Sequence, residues 1–307
     1  MNELKKLRIV FMGTPDFAVP MLDILHHSLH EVVAVITMPD KPAGRGLQLQ
    51  CSDVKKYAVG QNIPTLQPTN LKAAEFIEVL RSYQADLFVV VAFRMLPEVV
   101  WNMPPLGTIN LHASLLPNYR GAAPIHWAVV NGETETGVTT FFLQHAIDTG
   151  DIIRQRKVTI SETDNVGDVY AKLMDIGKDV LLDTVNSIAQ NTFTIQPQAH
   201  NTDIRHAPKI FKEHCLIDWS RDTKEIYNQI RGLSPFPVAY TSLEGKQLKV
   251  FKANYQLETH HKALGEVATD KKTFLRFYAK GGYIDCLEIQ LEGKKRMKVD
   301  EFLRGWN

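Results

Sequence analysis

Short runs of β-branched and other apolar residues alternate, in the first half of this chain, with longer segments that repeat apolar residues at helical spacing. The runs are, in order, LRIVFMG (7–13), EVVAVIT (31–37), ADLFVVVAF (85–93), GTINLHA (107–113) and GVTTFFL (137–143). This alternation is typical of a parallel sheet covered by helices, because helical crossovers join parallel strands and bury both faces. The longest helix is predicted over Asn165–Gln190, where one apolar stripe continues throughout. We expect this helix to close the first domain.

The pattern changes after residue 191. Residues 192–208, TFTIQPQAHNTDIRHAP, are largely polar and contain two prolines, which predicts a linker. A short helical segment follows, and then short strands separated by turn residues, which indicates a small β-barrel rather than a second parallel sheet. We therefore predict an α/β domain at 1–191, a linker at 192–208 and a barrel domain at 209–307.

The composition is that of an ordinary folded protein, since 44% of the 307 residues are hydrophobic and 22% are charged. No uncharged apolar window approaches about 18 residues, and the first residues pass from charges straight into a strand. We therefore expect no membrane span and a cytosolic location. Cys51, Cys215 and Cys286 are odd in number and far apart, which argues against a disulfide framework. No His, Cys or carboxylate cluster has ligand spacing, so we expect no metal.

Charge is distributed unevenly, although the net charge is only +1. Residues 1–207 carry 17 Lys and Arg against 21 Asp and Glu, whereas residues 208–307 carry 18 against 13. The C-terminal part is therefore the basic part. This is compatible with a polyanionic partner, and a solvated basic face is the commoner alternative.

The first candidate motif is FMGTPDFAVP (11–20), a strand that runs into a glycine turn and the start of a helix. Helix N-termini favour anions, so a phosphate-binding loop would use such a turn. The motif lacks the second and third glycines of GxGxxG, however, and Asp16 would repel a phosphate. We interpret Gly13 as a tight turn and Asp16 as a residue that compensates the helix dipole.

The second motif is the loop MPDKPAGRGLQLQ (38–50). Gly44 and Gly46 would permit close backbone approach, while Lys41 and Arg45 would supply charge-assisted contacts to phosphates or base edges. From composition alone, an ordinary surface loop is an equally good interpretation.

The third motif, INLHASLLPNYRGAAPIHWAV (109–129), places Asn110 and His112 on the same face of a predicted strand. An Asn amide can stabilise a developing oxyanion, and His exchanges a proton near neutral pH. A lone buried His is usually structural. A same-face Asn and His at the carboxyl end of a strand, where open α/β sheets bind ligands, favours a functional site.

The fourth motif is HAIDTGDII (145–153), in which Asp148 and Asp151 flank a Thr-Gly pair. A carboxylate near His112 would hold its charge and orientation, which is the third role in an acid–base group. The alternative is a plain turn that joins two strands.

Taken together, NLHASLLPNYRGAAPI and DTGDII resemble the folate-dependent formyltransferases. GTPDFA, KPAGRG and the C-terminal segments KEHCLIDW, IRGLSPFPVAY and KRMKVDEFLRGW narrow the resemblance to the members that act on methionyl-tRNA. The resemblance runs from about residue 8 to the C-terminus. It implies a Rossmann-like catalytic domain followed by an OB-like barrel that binds RNA. The run FFLQHAID and the presence of Arg94 depart from the family pattern.

The resemblance implies transfer of a formyl group from 10-formyltetrahydrofolate to the α-amino group of methionine on initiator tRNA, for translation initiation. The catalytic residues would be Asn110, His112 and Asp148. The folate-binding residues would be Phe93, Arg94, Met95, Leu96, Ser114, Leu115, Leu116 and Pro117. The tRNA-binding residues would be Lys41, Arg45, Lys209 and Lys212. We expect 10-formyltetrahydrofolate as cosubstrate, no metal, no membrane partner and a monomer.

In the implied reaction, the neutral α-amine attacks the formyl carbon, and Asn110 with a protonated His112 stabilises the anionic oxygen. His112, Asp148 or a water then carries the proton to the departing folate nitrogen. Three other functions are kept as alternatives: formyl transfer to a small amine such as a nucleotide or amino sugar, a non-catalytic tRNA-binding protein, and a nicotinamide oxidoreductase. The barrel and the KPAGRG loop argue against a small-amine acceptor. The three polar site residues argue against a non-catalytic protein, and the incomplete glycine fingerprint argues against a nicotinamide oxidoreductase.

Overall fold

The computed structural model describes residues 5–43, 48–199 and 203–306. In chain order, the first elements are β1 (Arg8–Gly13), a 3-10 helix (Asp16–Ala18), α1 (Val19–His26), β2 (Glu31–Ile36), β3 (Lys41–Ala43), β4 (Gln48–Gln50), α2 (Asp53–Gly60), β5 (Thr65–Leu66), α3 (Ala74–Ser82), β6 (Leu87–Val91), α4 (Glu98–Trp101), β7 (Thr108–His112), β8 (Arg120–Gly121) and α5 (Pro124–Val130). The next elements are β9 (Glu135–Phe142), β10 (Ile152–Thr159), α6 (Val166–Ala189), β11 (His206–Ala207), a 3-10 helix (Lys212–Cys215), α7 (Thr223–Gly232), β12 (Ala239–Leu243), β13 (Lys246–Leu257), β14 (Val267–Thr269), β15 (Leu275–Ala279), β16 (Gly282–Leu291), β17 (Met297–Lys298) and α8 (Val299–Arg304).

The central sheet has the strand order β10-β9-β7-β6-β1-β2-β5. Its strands β5, β2, β1, β6 and β7 are parallel, as the alternation of strand and helix patterns predicts. Strand β9 also forms where the sequence predicts it, but it runs antiparallel to β7. Antiparallel strands added to an otherwise parallel sheet are common in large α/β folds. The Rossmann-like α/β class is confirmed.

The continuous apolar runs are explained by burial on both faces of the sheet. Ile9, Val10, Phe11 and Met12 in β1 are all fully buried, and β6 is buried along its whole length. At the end of β1, a Cβ on Gly13 would lie 2.8 Å from the Cβ of Ala18. The turn therefore requires glycine for close packing, which confirms the tight-turn interpretation.

The order of the strands reverses direction between β1 and β6. From β1 the chain continues to β2 and β5 on one side of the sheet, and it then returns to β6 and β7 on the other side. The connections after β1 and β6 therefore diverge, which is the position where open α/β sheets bind ligands. β7 lies next to β6, so its carboxyl end faces the same region.

The C-terminal strands form an antiparallel sheet of order β12-β13-β16-β15-β14, with β17 paired to β16. The register of β13 against β16 shifts twice between Val250 and Ala253, and such bulges bend a sheet. Helices α7 and α8 contribute Ile226, Ile230 and Phe302 to the core of this sheet. The result is a curled antiparallel sheet, consistent with the predicted OB-like domain.

The chain divides into two compact units that alternate along the sequence. The first comprises Met1–Arg120, Gly137–Val158 and Lys172–Arg205, and the second comprises Gly121–Thr136, Thr159–Ala171 and His206–Asn307. Helix α6 therefore begins in the second unit and ends in the first. The division at residues 191 and 209 stays a prediction about which segments fold as independent domains.

Within the three described ranges, no helix is both long enough and apolar enough to cross a lipid bilayer.

Candidate active site

Strand β7 places Asn110 and His112 at its carboxyl end, in the alternating positions that the sequence predicts. Asn110 pairs with Val90 of β6, and His112 pairs with Thr139 of β9. His112 is buried, whereas Asn110 is partly exposed. In the part of the chain that the structure describes, no protein group is hydrogen-bonded to the Asn110 carboxamide. That amide is therefore available as a donor.

The imidazole of His112 is held from both of its nitrogen atoms. Nε2 lies 2.8 Å from the backbone oxygen of Tyr119, and a carbonyl can only accept, so Nε2 carries the hydrogen and donates. Nδ1 lies 3.8 Å from Oδ2 of Asp148. This distance is longer than a hydrogen bond, so the contact becomes an ion pair only when the imidazole is protonated. Because both side chains are at least 88% buried, water screens it little.

Asp148 lies in the connection between β9 and β10, in a backbone conformation that few residues adopt. Its φ is +54°, in the left-handed region where Asp is one of the less disfavoured side chains. Two residues on, a Cβ on Gly150 would lie 1.7 Å from the backbone oxygen of Phe142, so only glycine fits there. The loop is therefore fixed tightly against the end of β9.

A glutamine from the predicted linker holds this loop. The Nε2 of Gln198 donates to the backbone oxygen of Asp148 at 2.9 Å and to that of Gly150 at 2.8 Å. Its Oε1 accepts from Nε and Nη2 of Arg120, at 3.1 and 2.6 Å. The predicted linker is thus bonded to the Asp148 loop through Gln198, and sequence reasoning missed this role.

The turn after β7 contains four of the predicted folate residues. Ser114 and Leu116 are buried, while Leu115 and Pro117 keep part of their surface. The Ser114 hydroxyl donates to the backbone oxygen of Asn118 at 2.7 Å. A hydrogen bond within the turn therefore stabilises it. Of the four predicted folate residues in the turn, Leu115 and Pro117 have exposed surface that a ligand could contact.

Two polar side chains of the neighbouring strands support the same turn. The hydroxyl of Thr139 donates to the backbone oxygen of Ser114 at 2.6 Å, and Nε2 of Gln155 donates to the backbone oxygen of Leu116 at 2.9 Å. No feature of the sequence around Thr139 or Gln155 signals this, because the partners are far away along the chain.

The other predicted folate residues follow β6. Leu96 is a core residue, Phe93 is half-buried and packs on the same core, and Met95 is 75% exposed. Arg94 donates to the backbone oxygens of Pro68 and Thr69, and burial lowers its pKa. Arg94 therefore ties two loops together, whereas Phe93 and Met95 present apolar surface at this end of the sheet.

The predicted tRNA residues lie on exposed segments. Lys41 is exposed and begins β3, which pairs with β4, so the 38–50 loop contains a short hairpin stem. Arg45 lies outside the described residues. Lys209 and Lys212 are exposed, with their ammonium groups 5.6 and 6.0 Å from the ring centres of Phe211 and Tyr240.

Within residues 5–43, 48–199 and 203–306, no three or more His, Cys, Asp or Glu side chains lie together in a group that could hold a metal ion.

Comparison with known proteins gives these residues a context. The formyl transferase model matches residues 7–185, and the model of the formyl transferase C-terminal domain matches residues 209–307. The chain belongs to the formyl transferase family. The two family models together cover the seven-stranded central sheet and the C-terminal antiparallel sheet of this formyl transferase.

Curated relatives match the formyl transferase over almost its full length. A methionyl-tRNA formyltransferase of Bacteroides fragilis is 54% identical over 98% of this chain and 95% of its own. That of Phocaeicola vulgatus is 56% identical over 99% of this chain and 97% of its own. An N-formyltransferase of Helicobacter canadensis, solved with folinic acid and dTDP-3-aminofucose, has a TM-score of 0.67 at 21% identity, covering 91% of this chain and 98% of that one. The fold is shared with that enzyme.

Proposed function

We propose that this chain transfers the formyl group of 10-formyltetrahydrofolate to the α-amino group of the methionine carried by initiator tRNA. The relatives at 54% and 56% identity are named methionyl-tRNA formyltransferases and are matched over nearly their whole length. The structural observation that carries the proposal is the group formed by Asn110, His112 and Asp148 at the carboxyl edge of the sheet. We further propose that the enzyme acts in the cytosol as a monomer.

In the proposed reaction, the amine nitrogen bonds to the formyl carbon and the bond from that carbon to the folate nitrogen breaks. One proton passes from the amine to the departing nitrogen. A methionine α-amine has a reference pKa of about 7.7 to 8.0, so a share of it is neutral and nucleophilic near pH 7. Negative charge develops on the formyl oxygen during the attack, and a preorganised donor lowers the barrier. The Asn110 carboxamide supplies that donor.

His112 and Asp148 are suited to moving the proton. The bond to the Tyr119 carbonyl fixes the hydrogen on Nε2, so Nδ1 is the nitrogen atom that gains or loses a proton. Nδ1 faces the Asp148 carboxylate across 3.8 Å, which leaves the pair without a direct hydrogen bond of its own. A proton of the reacting amine, or a water, is able to bridge this gap. The carboxylate stabilises the imidazolium that forms when Nδ1 takes the proton.

The surroundings of the group include apolar surface against which the rings of the folate cosubstrate could pack. Pairing of Val90 with Asn110 places the loop after β6 beside the end of β7. Phe93 and Met95, in that loop, keep aromatic and thioether surface exposed in part or in full. Ligand pockets commonly combine such apolar walls with a few fixed polar groups.

The RNA acceptor is supported by two exposed basic regions. The 38–50 loop carries Lys41 and, outside the described residues, Arg45. In the C-terminal unit, Lys209 and Lys212 are exposed beside aromatic rings, and cations interleaved with aromatic side chains are typical of surfaces that bind single-stranded nucleic acid.

The test is transfer of a labelled formyl group from 10-formyltetrahydrofolate to methionyl initiator tRNA, with elongator methionyl-tRNA as the matched control. The proposal expects transfer to the initiator alone. Equal transfer to both RNAs would remove initiator recognition from the proposal. No transfer to either RNA, together with transfer to a small amine such as an amino sugar nucleotide, would overturn it in favour of a small acceptor.

A further inference from the structure

We propose that Gln198 is a positioning residue for formyl transfer, because it fixes the Asp148 loop to Arg120 and thereby holds the Asp148 carboxylate at His112. This inference rests on the proposed function. Gln198 lies outside the motifs that mark the site in the sequence, in the segment predicted to be a linker. It is 5% exposed, so these partners replace nearly all of the water that its amide would otherwise bind.

The Gln198 carboxamide uses all of its hydrogen-bonding capacity. Its two N–H bonds meet the backbone oxygens of Asp148 and Gly150, and its oxygen accepts two bonds from the guanidinium of Arg120. An amide is the group that combines two donors with an acceptor in this way. A Glu at this position would turn a carboxylate oxygen toward two carbonyls, and a Met would remove the bonds to both carbonyls and to the guanidinium.

The Asp148 loop needs such support because of its backbone. A non-glycine residue at φ +54° persists only where its surroundings hold it. The Gln198 bonds reach the carbonyl of Asp148 itself and that of Gly150, on either side of the position where the loop turns. Loss of these bonds allows the Asp148 backbone to relax, and a carboxylate displaced by about 1 Å costs a large factor in rate.

The neighbouring backbone anchors Gln198 so that it acts as a fixed point. Gln196 and Ile152 exchange two backbone hydrogen bonds, each of 2.8 Å. Arg120 follows Tyr119, whose carbonyl accepts from His112. The Gln198 amide therefore connects the two sides of the His112 ring. It binds Arg120, the neighbour of the residue that accepts from Nε2, and it binds the backbone of Asp148, whose carboxylate faces Nδ1.

The test compares Gln198→Met with Gln229→Met in the full-length chain. Gln229 is a matched control, since it is also a buried glutamine whose Nε2 donates to two backbone oxygens, those of His214 and Leu216, in the C-terminal unit. We expect Gln198→Met to lower kcat for formyl transfer by about 10- to 100-fold, with KM for folate and tRNA changed less than about twofold. Gln229→Met should keep kcat within about twofold.

A double-mutant cycle shows whether Gln198 acts through Asp148. In an Asp148→Ala background, followed by single-turnover transfer, Gln198→Met should lower the rate by no more than about twofold. An equal loss in both backgrounds, an equal loss in Gln229→Met, or a rise in KM with kcat unchanged would each overturn the inference. If the wild-type chain transfers no formyl group to initiator methionyl-tRNA, the proposed function fails instead, and that result is distinct from an active wild type with an unimpaired Gln198→Met.

Discussion

Replacing Asp148 by Asn keeps the size of the side chain and removes its charge, which isolates the electrostatic part of the proposed mechanism. The carboxylate lies 3.8 Å from Nδ1 of His112, and both side chains are largely buried. Two unit charges at that separation interact by about 4 kcal/mol at an effective dielectric constant of about 20. This is an upper limit on what the carboxylate contributes when the imidazolium forms in the transition state. A tenfold change in rate corresponds to about 1.4 kcal/mol, so we expect the transfer rate to fall by about 10²- to 10³-fold.

The assay is single-turnover transfer of labelled formyl from saturating folate to initiator methionyl-tRNA, which reports the chemical step without product release. Asp151→Asn is the matched control, because Asp151 lies in the same loop and the ion pair of His112 is with Asp148. A rate for Asp148→Asn within about fivefold of wild type would refute the electrostatic role. So would an equal loss in both variants, since it would indicate a general disturbance of the loop.

Three further predictions concern RNA binding, stability and thiol reactivity. Lys41→Ala and Arg45→Ala should each raise KM for tRNA while leaving KM for folate unchanged, and tRNA affinity should fall as salt rises. His30 accepts from the backbone N–H of Leu7 and donates to Asn186, and burial lowers its pKa. Its contribution to stability should therefore be complete above about pH 6.5 and lost as pH falls below that value, by at most about 1.4 kcal/mol per pH unit, in urea unfolding. Burial raises the pKa of the Cys286 thiol to about 12, so this thiol should resist a disulfide reagent at pH 7.5 in the folded state.

Each of these has a direct control. For the RNA loop, Lys72→Ala changes an exposed Lys in the same unit, and an equal rise in KM there would indicate a general charge effect. For stability, His30→Gln should show a smaller loss between pH 7.5 and 5.5 than wild type, and equal losses would contradict the role of His30. For the thiol, Cys51 is partly exposed and should react first, so equal rates at Cys51 and Cys286 would contradict the argument.

The sheet could be read from the sequence because its determinants are local. Each apolar run in residues 7–143 forms a strand, and its length and β-branched content are visible within the run itself. The helix over Val166–Ala189 follows in the same way from one continuous apolar stripe. Strand direction is a different matter. The antiparallel pairing of β9 with β7 depends on how the chain returns after residue 112, and the composition of β9 does not encode it.

The same distinction applies within the site. Asn110 and His112 are positioned by the two-residue period of one strand, so a local pattern was sufficient to pair them. Asp148 owes its position to Gly150, where only glycine fits, and to an amide that is 50 residues away in sequence. Gln198 itself sits in a polar, proline-containing stretch of the kind that usually links domains, and its neighbours in sequence give no sign of its partners.

Because the strand and the loop are held in different ways, substitutions in them should affect stability and activity differently. Asn110 and His112 belong to a buried strand that pairs on both sides, so bulky or charged substitutions there should lower stability together with activity. The Asp148 loop and its Gln198 support lie at the end of the sheet, where lost hydrogen bonds leave the strand ladder intact. Substitutions there should lower the transfer rate while the midpoint of urea unfolding moves little. A variant at Gln198 that lost rate and stability in proportion would place the support in the folding core rather than in the positioning of the reacting groups.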